Sequence, residues 1–266
     1  LTQYRFIVPK LVEDAWKELK SLGVNDIFAS EHAERLKEVL TDPILAEYMS
    51  LILPTPQGRI RSLHEKTART YEVWLLSKLL RSLHELGTKP LSKELRISYT
   101  TNEPAIKMDF RDKAVHVLYQ PSIVPHIISG FAQLPKPFHA VPDIAVMVSG
   151  KEEYVSWGEL HRHSDKIPLL IEAKLSLSGA TIYETVETAM KQVEAYRRLL
   201  NNRPLVLVAI CYENENAVVK LSKLPGVRAL DNVNPDNPQK VQEFMDNVKR
   251  VMEEHLLSSD KIIPPK

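Results

Sequence analysis

Cysteine is almost absent from this 266-residue chain. Cys211 stands alone, so no disulfide can close within the chain and no set of cysteines can hold zinc or an iron–sulfur cluster. Charge of one sign is missing too. The 35 Lys and Arg balance 34 Asp and Glu to a formal +1, so a nucleic-acid surface has to be a local patch. No apolar run approaches the ~20 residues that a membrane helix requires, and the opening Leu1-Thr2-Gln3-Tyr4-Arg5 carries no signal-peptide pattern. These absences predict a soluble, cytoplasmic protein with no membrane partner; the leucine start leaves room for residues upstream. There is no internal repeat and no low-complexity segment. What is present is a 44% hydrophobic composition, ample for one large domain or a core with a smaller appendage.

Periodicity divides the chain. Val12 to Leu22 and His32 to Leu53 carry apolar residues at helical spacing, and Pro54-Thr55-Pro56-Gln57-Gly58 breaks the pattern. The break suggests a helical N-terminal region, 1–58, ahead of a second unit, 59–260. A long helix is predicted over Ser62 to Leu86, where Tyr71, Leu75, Leu79, Leu83 and Leu86 recur and Gly87 offers a stop. Short β-favouring runs follow at Leu95 to Thr100, Ile106 to Phe110 and Ala114 to Tyr119, and read as an antiparallel meander. Ile144 to Val148 and Leu169 to Ile171 are apolar strands parted by a polar, loop-like stretch from Ser149 to Lys166. A helix over Thr181 to Leu200, a strand buried on both faces over Leu205 to Cys211 and an amphipathic helix over Gln239 to Leu257 complete the plan. The ending Ile262-Ile263-Pro264-Pro265 reads as a tail. The class is α/β, with helices packed on a central mixed sheet.

Side chains alternate along a strand, so Glu172 and Lys174 of Glu172-Ala173-Lys174 share one face at the exit of a buried strand. Taken alone this reads first as an ordinary ion pair, since the same spacing occurs in Glu18-Leu19-Lys20 on a helix. Pro142-Asp143, opening the preceding strand, changes the balance. If the two strands run antiparallel, Asp143 and Glu172 converge, and two carboxylates so close call for a cation, with Mg²⁺ the natural hard partner. Without that pairing Asp143 merely shapes a turn after proline. His161-Arg162-His163 falls in the polar stretch and reads as surface histidines, while Ser129-Gly130 and Ser149-Gly150 read as turns with no phosphate-loop or nucleophile-elbow spacing.

With Pro142-Asp143 and Glu172-Ala173-Lys174 as its two signatures, the chain resembles the PD-(D/E)xK, or restriction-endonuclease-like, nuclease superfamily over Thr70 to Cys211. Tyr71-Glu72-Val73-Trp74 and the Gln192/Tyr196 pair extend the likeness, the first in the manner of nuclease subunits of modification-dependent restriction systems. The single cysteine departs from the CRISPR-associated exonucleases that carry iron–sulfur clusters. The resemblance implies an Mg²⁺- or Mn²⁺-dependent (endo)deoxyribonuclease. Asp143, Glu172, the carbonyl of Ala173 and Glu72 would be its metal ligands, Lys174 would assist the attacking water, and Gln192 would orient the site. Lys191, Arg197 and Arg198 are the candidate phosphate contacts, against a plain solvated helix face. The rival expectation is a catalytically silent nuclease-fold protein that binds DNA or a partner subunit; a third is docking of a motor or other subunit through the N-terminal helices.

Overall fold

The structure, a computed structural model, describes residues 2–29, 58–97, 103–123, 141–153, 157–176 and 185–257. Of the N-terminal region, helix α1 (Thr2–Ser21) and strand β1 (Asp26–Ala29) fall within these residues; the expected helix over 32–53 lies outside them. Leu11, Ala15 and Leu19 form the buried stripe of α1, at the spacing that puts one residue above another. That stripe packs on α2 (Gly58–Glu85), and both helices belong to one hydrophobic core. Between Tyr71 and Leu83, α2 is buried nearly all round, its polar residues Glu72, Ser77, Lys78 and Ser82 included. It ends at Gly87, φ +93°, where Gly87 N–H bonds the His84 carbonyl and Thr88 N–H the Leu83 carbonyl. These paired bonds close the last turn, and the left-handed position falls to glycine.

Among the described residues, seven strands form the main sheet in the order β2-β4-β5-β6-β7-β8-β9: β2 (Lys89–Pro90), β4 (Ile106–Phe110), β5 (Lys113–Tyr119), β6 (Ile144–Gly150), β7 (Leu169–Lys174), β8 (Leu205–Ile210) and β9 (Val227–Leu230). β2 through β7 pair antiparallel, while β7, β8 and β9 run parallel. The meander is thus β4-β5-β6. The run at 95–100, expected to belong to it, instead supplies β3 (Glu94–Ile97), which pairs parallel with β1 in a sheet of two strands. Parallel strands need crossovers, and helices α3 (Val186–Leu199) and α4 (Glu215–Leu221) provide them. Thr185 caps α3, its hydroxyl accepting from Thr188 N–H at 3.1 Å. α5 (Pro238–Leu257) lies along α2.

Each face of the sheet has its own apolar cluster. Ile144, Val146, Leu169, Ile171 and Leu207 join α1, α2 and α5, whereas Ala145, Met147, Leu170, Val206 and Val208 join α3 and α4. β8 is therefore buried on both faces, as its sequence predicts. The stretch 149–166 is not simply a loop: Trp157–Lys166 is a 3-10 segment, because Leu160 gives it an anchor in the second cluster. No helix among the described residues is long and apolar enough to cross a membrane.

Candidate active site

Strand β7 outruns β6. Their ladder ends where Ile144 faces Ile171, while β7 continues along β8 until Lys174 faces Ile210. One further step of the same register sets Asp143 against Glu172, and directly opposed residues of an antiparallel pair share a face. By alternation that is also the face of Lys174, the side covered by α3. Ala173, past the end of the ladder, donates its N–H to Asp143 Oδ2 at 2.7 Å. In extended backbone its carbonyl points the same way, so a carboxylate and a carbonyl meet in the gap that β6 leaves.

Glu172 and Lys174 are bonded, Nζ to Oε1 at 2.5 Å, with side chains only 3% and 13% exposed. Glu172 Oε2 is sealed from solvent and, among the described residues, accepts no hydrogen bond; the Tyr196 hydroxyl bears on this carboxyl, but its proton goes to the Val141 carbonyl. A buried acceptor left so is costly and asks for a missing donor or cation. Burial pushes the Glu172 carboxyl up to about 7; Lys174 opposes this and the charge of Asp143 adds to it. For Lys174 burial acts downward, yet Glu172 and Asp143 prevail and hold it above its ordinary value, an ammonium at neutral pH.

Glu72 comes from the opposite layer, on α2, and is buried as its place on the apolar face foretold. Arg69 Nη1 donates to both its oxygens at 2.9 Å, and Oε2 also accepts from Tyr119 hydroxyl at 2.7 Å and Gln120 Nε2 at 2.8 Å. Burial first, then the charge of Asp143, raises this carboxyl to about 8 against the pull of Arg69 and Tyr119. Two glutamates therefore feel Asp143 from the two sides of the sheet, where β6 and β7 part. From α3, the buried Tyr196 donates its hydroxyl to the Val141 carbonyl at 3.1 Å; burial and the charge of Glu172 raise its phenol well above the ordinary range. Gln192, one turn earlier, keeps Oε1 enclosed and without a partner among the described residues.

Of the expected phosphate contacts, Lys191 and Arg198 are exposed on α3. Arg197 is not brought to the site. Its Nη2 donates to the Asn202 carbonyl at 2.6 Å, and its guanidinium lies so close to Gly226 that a Cβ there would meet Cζ at 2.5 Å. Gly226 precedes β9, at the end of the parallel strands opposite to Lys174. His161 and His163 stand on the 3-10 segment. Arg69, Tyr119 and Gln120 were missed by sequence reading. Their only signal was position: one turn before Glu72, and at the end of the strand that neighbours Asp143.

Among the described residues no three His, Cys, Asp or Glu side chains stand together as a ready cation cage. The donor set at the gap is nevertheless of the right chemistry: Asp143, the enclosed Glu172 Oε2 and the Ala173 carbonyl are hard oxygens of the kind that Mg²⁺ and Mn²⁺ accept. Burial and the charge of Asp143 hold the Glu172 and Glu72 carboxyls up, a state that a divalent cation would relieve.

No protein-family model matches the chain, and no curated protein does. Among solved structures it is similar to the Bse634I restriction endonuclease, at 10% identity and a TM-score of 0.41 over 84% of this chain and 85% of that one. It is likewise similar to the type IIF restriction endonuclease Bse634I with cognate DNA, at 9% identity and a TM-score of 0.42 over 90% and 92%. At such identities and scores no residue role passes from them to this chain.

Proposed function

We propose that this protein is a metal-dependent nuclease of the PD-(D/E)xK kind, hydrolysing phosphodiester bonds in DNA. The observation that carries the reading is the meeting of Asp143 with Glu172 and Lys174 beyond the end of the β6–β7 ladder, with Glu172 Oε2 buried and accepting no hydrogen bond among the described residues. Asp143, Glu172 and the Ala173 carbonyl would be the donors for one Mg²⁺ or Mn²⁺, and Glu72 would hold a second ion or a metal-bound water. A divalent ion held there supplies Lewis-acid charge at the scissile phosphate and makes a nearby water more acidic. Lys174 orients the attacking water or helps to deprotonate it, and its ammonium offsets charge at phosphorus. The water oxygen gives up a proton, to Lys174 or to solvent, and forms the new bond to phosphorus; the ester bond opposite breaks, and the departing oxygen takes a proton from solvent. Gln192 and Tyr196 orient the site from α3. Lys191 and Arg198, exposed on α3, would meet backbone phosphates, a local patch on a chain of almost no net charge.

A second reading, a silent nuclease fold that binds DNA or a partner, draws on the closed Glu172–Lys174 pair and the lack of a three-ligand cage among the described residues. Incubation with supercoiled plasmid and single-stranded DNA in Mg²⁺ or Mn²⁺, with EDTA controls, separates the two. Cutting that requires metal and disappears in Asp143→Ala and Lys174→Ala is the expected result; absence of both cutting and calorimetric metal binding favours the silent reading.

A further inference from the structure

We infer that Gln120 is a positioning residue that ties Glu72 to Asp143 across the two layers, an inference that rests on the nuclease reading because those are the groups it positions. Gln120 follows directly on β5 with φ +48°, in the left-handed region that side chains other than glycine enter at a cost. From that conformation its backbone N–H donates to the Asp143 carbonyl at 2.8 Å, while its side-chain Nε2 donates to Glu72 Oε2, also at 2.8 Å. One residue thus holds the main chain of one acid and the carboxylate of the other.

The kink has a geometric purpose. In a continued strand, residues 119 and 120 would point to opposite faces. Here both Tyr119 and Gln120 reach the same oxygen of Glu72, which consecutive residues of an extended chain could not do. Among the described residues, the other left-handed positions without glycine are Asn201, Asn202 and Asn232, a residue type that tolerates this backbone, and Arg111, in the tight turn between β4 and β5. Gln120 has neither excuse. Its backbone is held by the two bonds it makes, both to candidate metal ligands.

Two variants separate positioning from turn formation. Gln120→Asn suits the left-handed backbone but its amide is too short to reach Glu72, and Gln120→Gly relieves the backbone and removes the amide altogether. Each is compared with wild type by Mn²⁺ calorimetry, thermal melting and cutting of supercoiled plasmid across a Mg²⁺ series. The expected result is a melting temperature close to wild type, Mn²⁺ affinity and Mg²⁺ midpoint weakened about tenfold, and an unchanged KM for plasmid. Wild-type metal affinity and Mg²⁺ midpoint in Gln120→Asn would overturn the inference and leave the nuclease reading standing. A lowered melting temperature with metal binding intact would overturn it too, reducing Gln120 to a turn residue. A wild-type protein that neither binds Mn²⁺ nor cuts would overturn the nuclease reading, and this inference with it.

Discussion

Lys78 and Lys174 are both buried ammonium groups set against carboxylates, yet their surroundings differ. Lys78, on α2, bonds Asp14 Oδ2 at 2.8 Å and Glu18 Oε1 at 3.0 Å, two acids one turn apart on α1. Trp74 Nε1 also donates to Asp14 Oδ2, and the ammonium lies 5.7 Å from the Trp74 ring centroid. Both acids keep a quarter to a third of their side chains in solvent, at 32% and 23%, so water completes what the protein leaves. This cluster is closed, and it fastens α1 to α2. Around Lys174, by contrast, Glu172 Oε2 is sealed from solvent, and two glutamates are pushed toward neutral pH. The same residue types make a staple where every charge is met, and at the candidate site leave an enclosed carboxylate oxygen without a donor among the described residues.

Exchanging the two lysines in turn breaks the comparison most directly. Lys174→Ala should reduce metal-dependent cutting by about a hundredfold or more while the fold survives, since the remaining Glu172 can take up a proton. Lys78→Ala should do the opposite, costing about 3 kcal/mol in urea unfolding because Asp14 and Glu18 lose their partner, with cutting retained below the melting point. If Lys78→Ala also abolishes cutting in folded protein, the two clusters are not independent.

Proton linkage sharpens the contrast. In metal-free protein the carboxyls of Glu172 and Glu72 are raised from 4.5 to about 7 and about 8, so the unfolded chain releases their protons first. Stability from these groups is fully present below about pH 4.5 and falls as pH rises through 7 to 8, by up to about 1.4 kcal/mol per unit and per group. Urea midpoints at pH 5, 6, 7 and 8 should fall in EDTA and flatten in Mn²⁺. Parallel curves in the two media would show that no cation enters the gap. The smallest effect belongs at the surface. Lys10 and Asp236 pair at 2.5 Å with half or more of each side chain exposed, and Lys10→Ala should shift stability by less than about 1 kcal/mol.

Much of this arrangement was legible beforehand. The strands over 106–110, 114–119, 144–148 and 205–211 lie where alternation and apolar runs placed them, and α2, α3 and α5 follow their helical stripes. α4 and β9 escaped notice because the first is only seven residues long and the second only four, too short for a period to repeat. The run at 95–100 looked like part of the meander because β propensity says that a segment is extended, never which strand it joins. At the site, Glu172 and Lys174 on one face and Glu72 on an apolar helix face could be read from spacing. The donors to Glu72 could not, since Arg69 looks like any helix arginine and Gln120 like any loop glutamine.

The sequence by itself determined which way side chains point within each element: Glu172 with Lys174, Glu72 with the core, Gln192 with Tyr196. Pleat and helical turn are local, and a few neighbouring residues suffice to set them. Only the tertiary structure decided that β6 stops one residue short of Asp143, that Ala173 turns its free N–H to that carboxylate, and that Gln120 kinks to bridge two acids from different layers. Those are matters of long-range register and of where a ladder ends. They depend on strands distant in sequence meeting at one place, and no local pattern encodes that meeting.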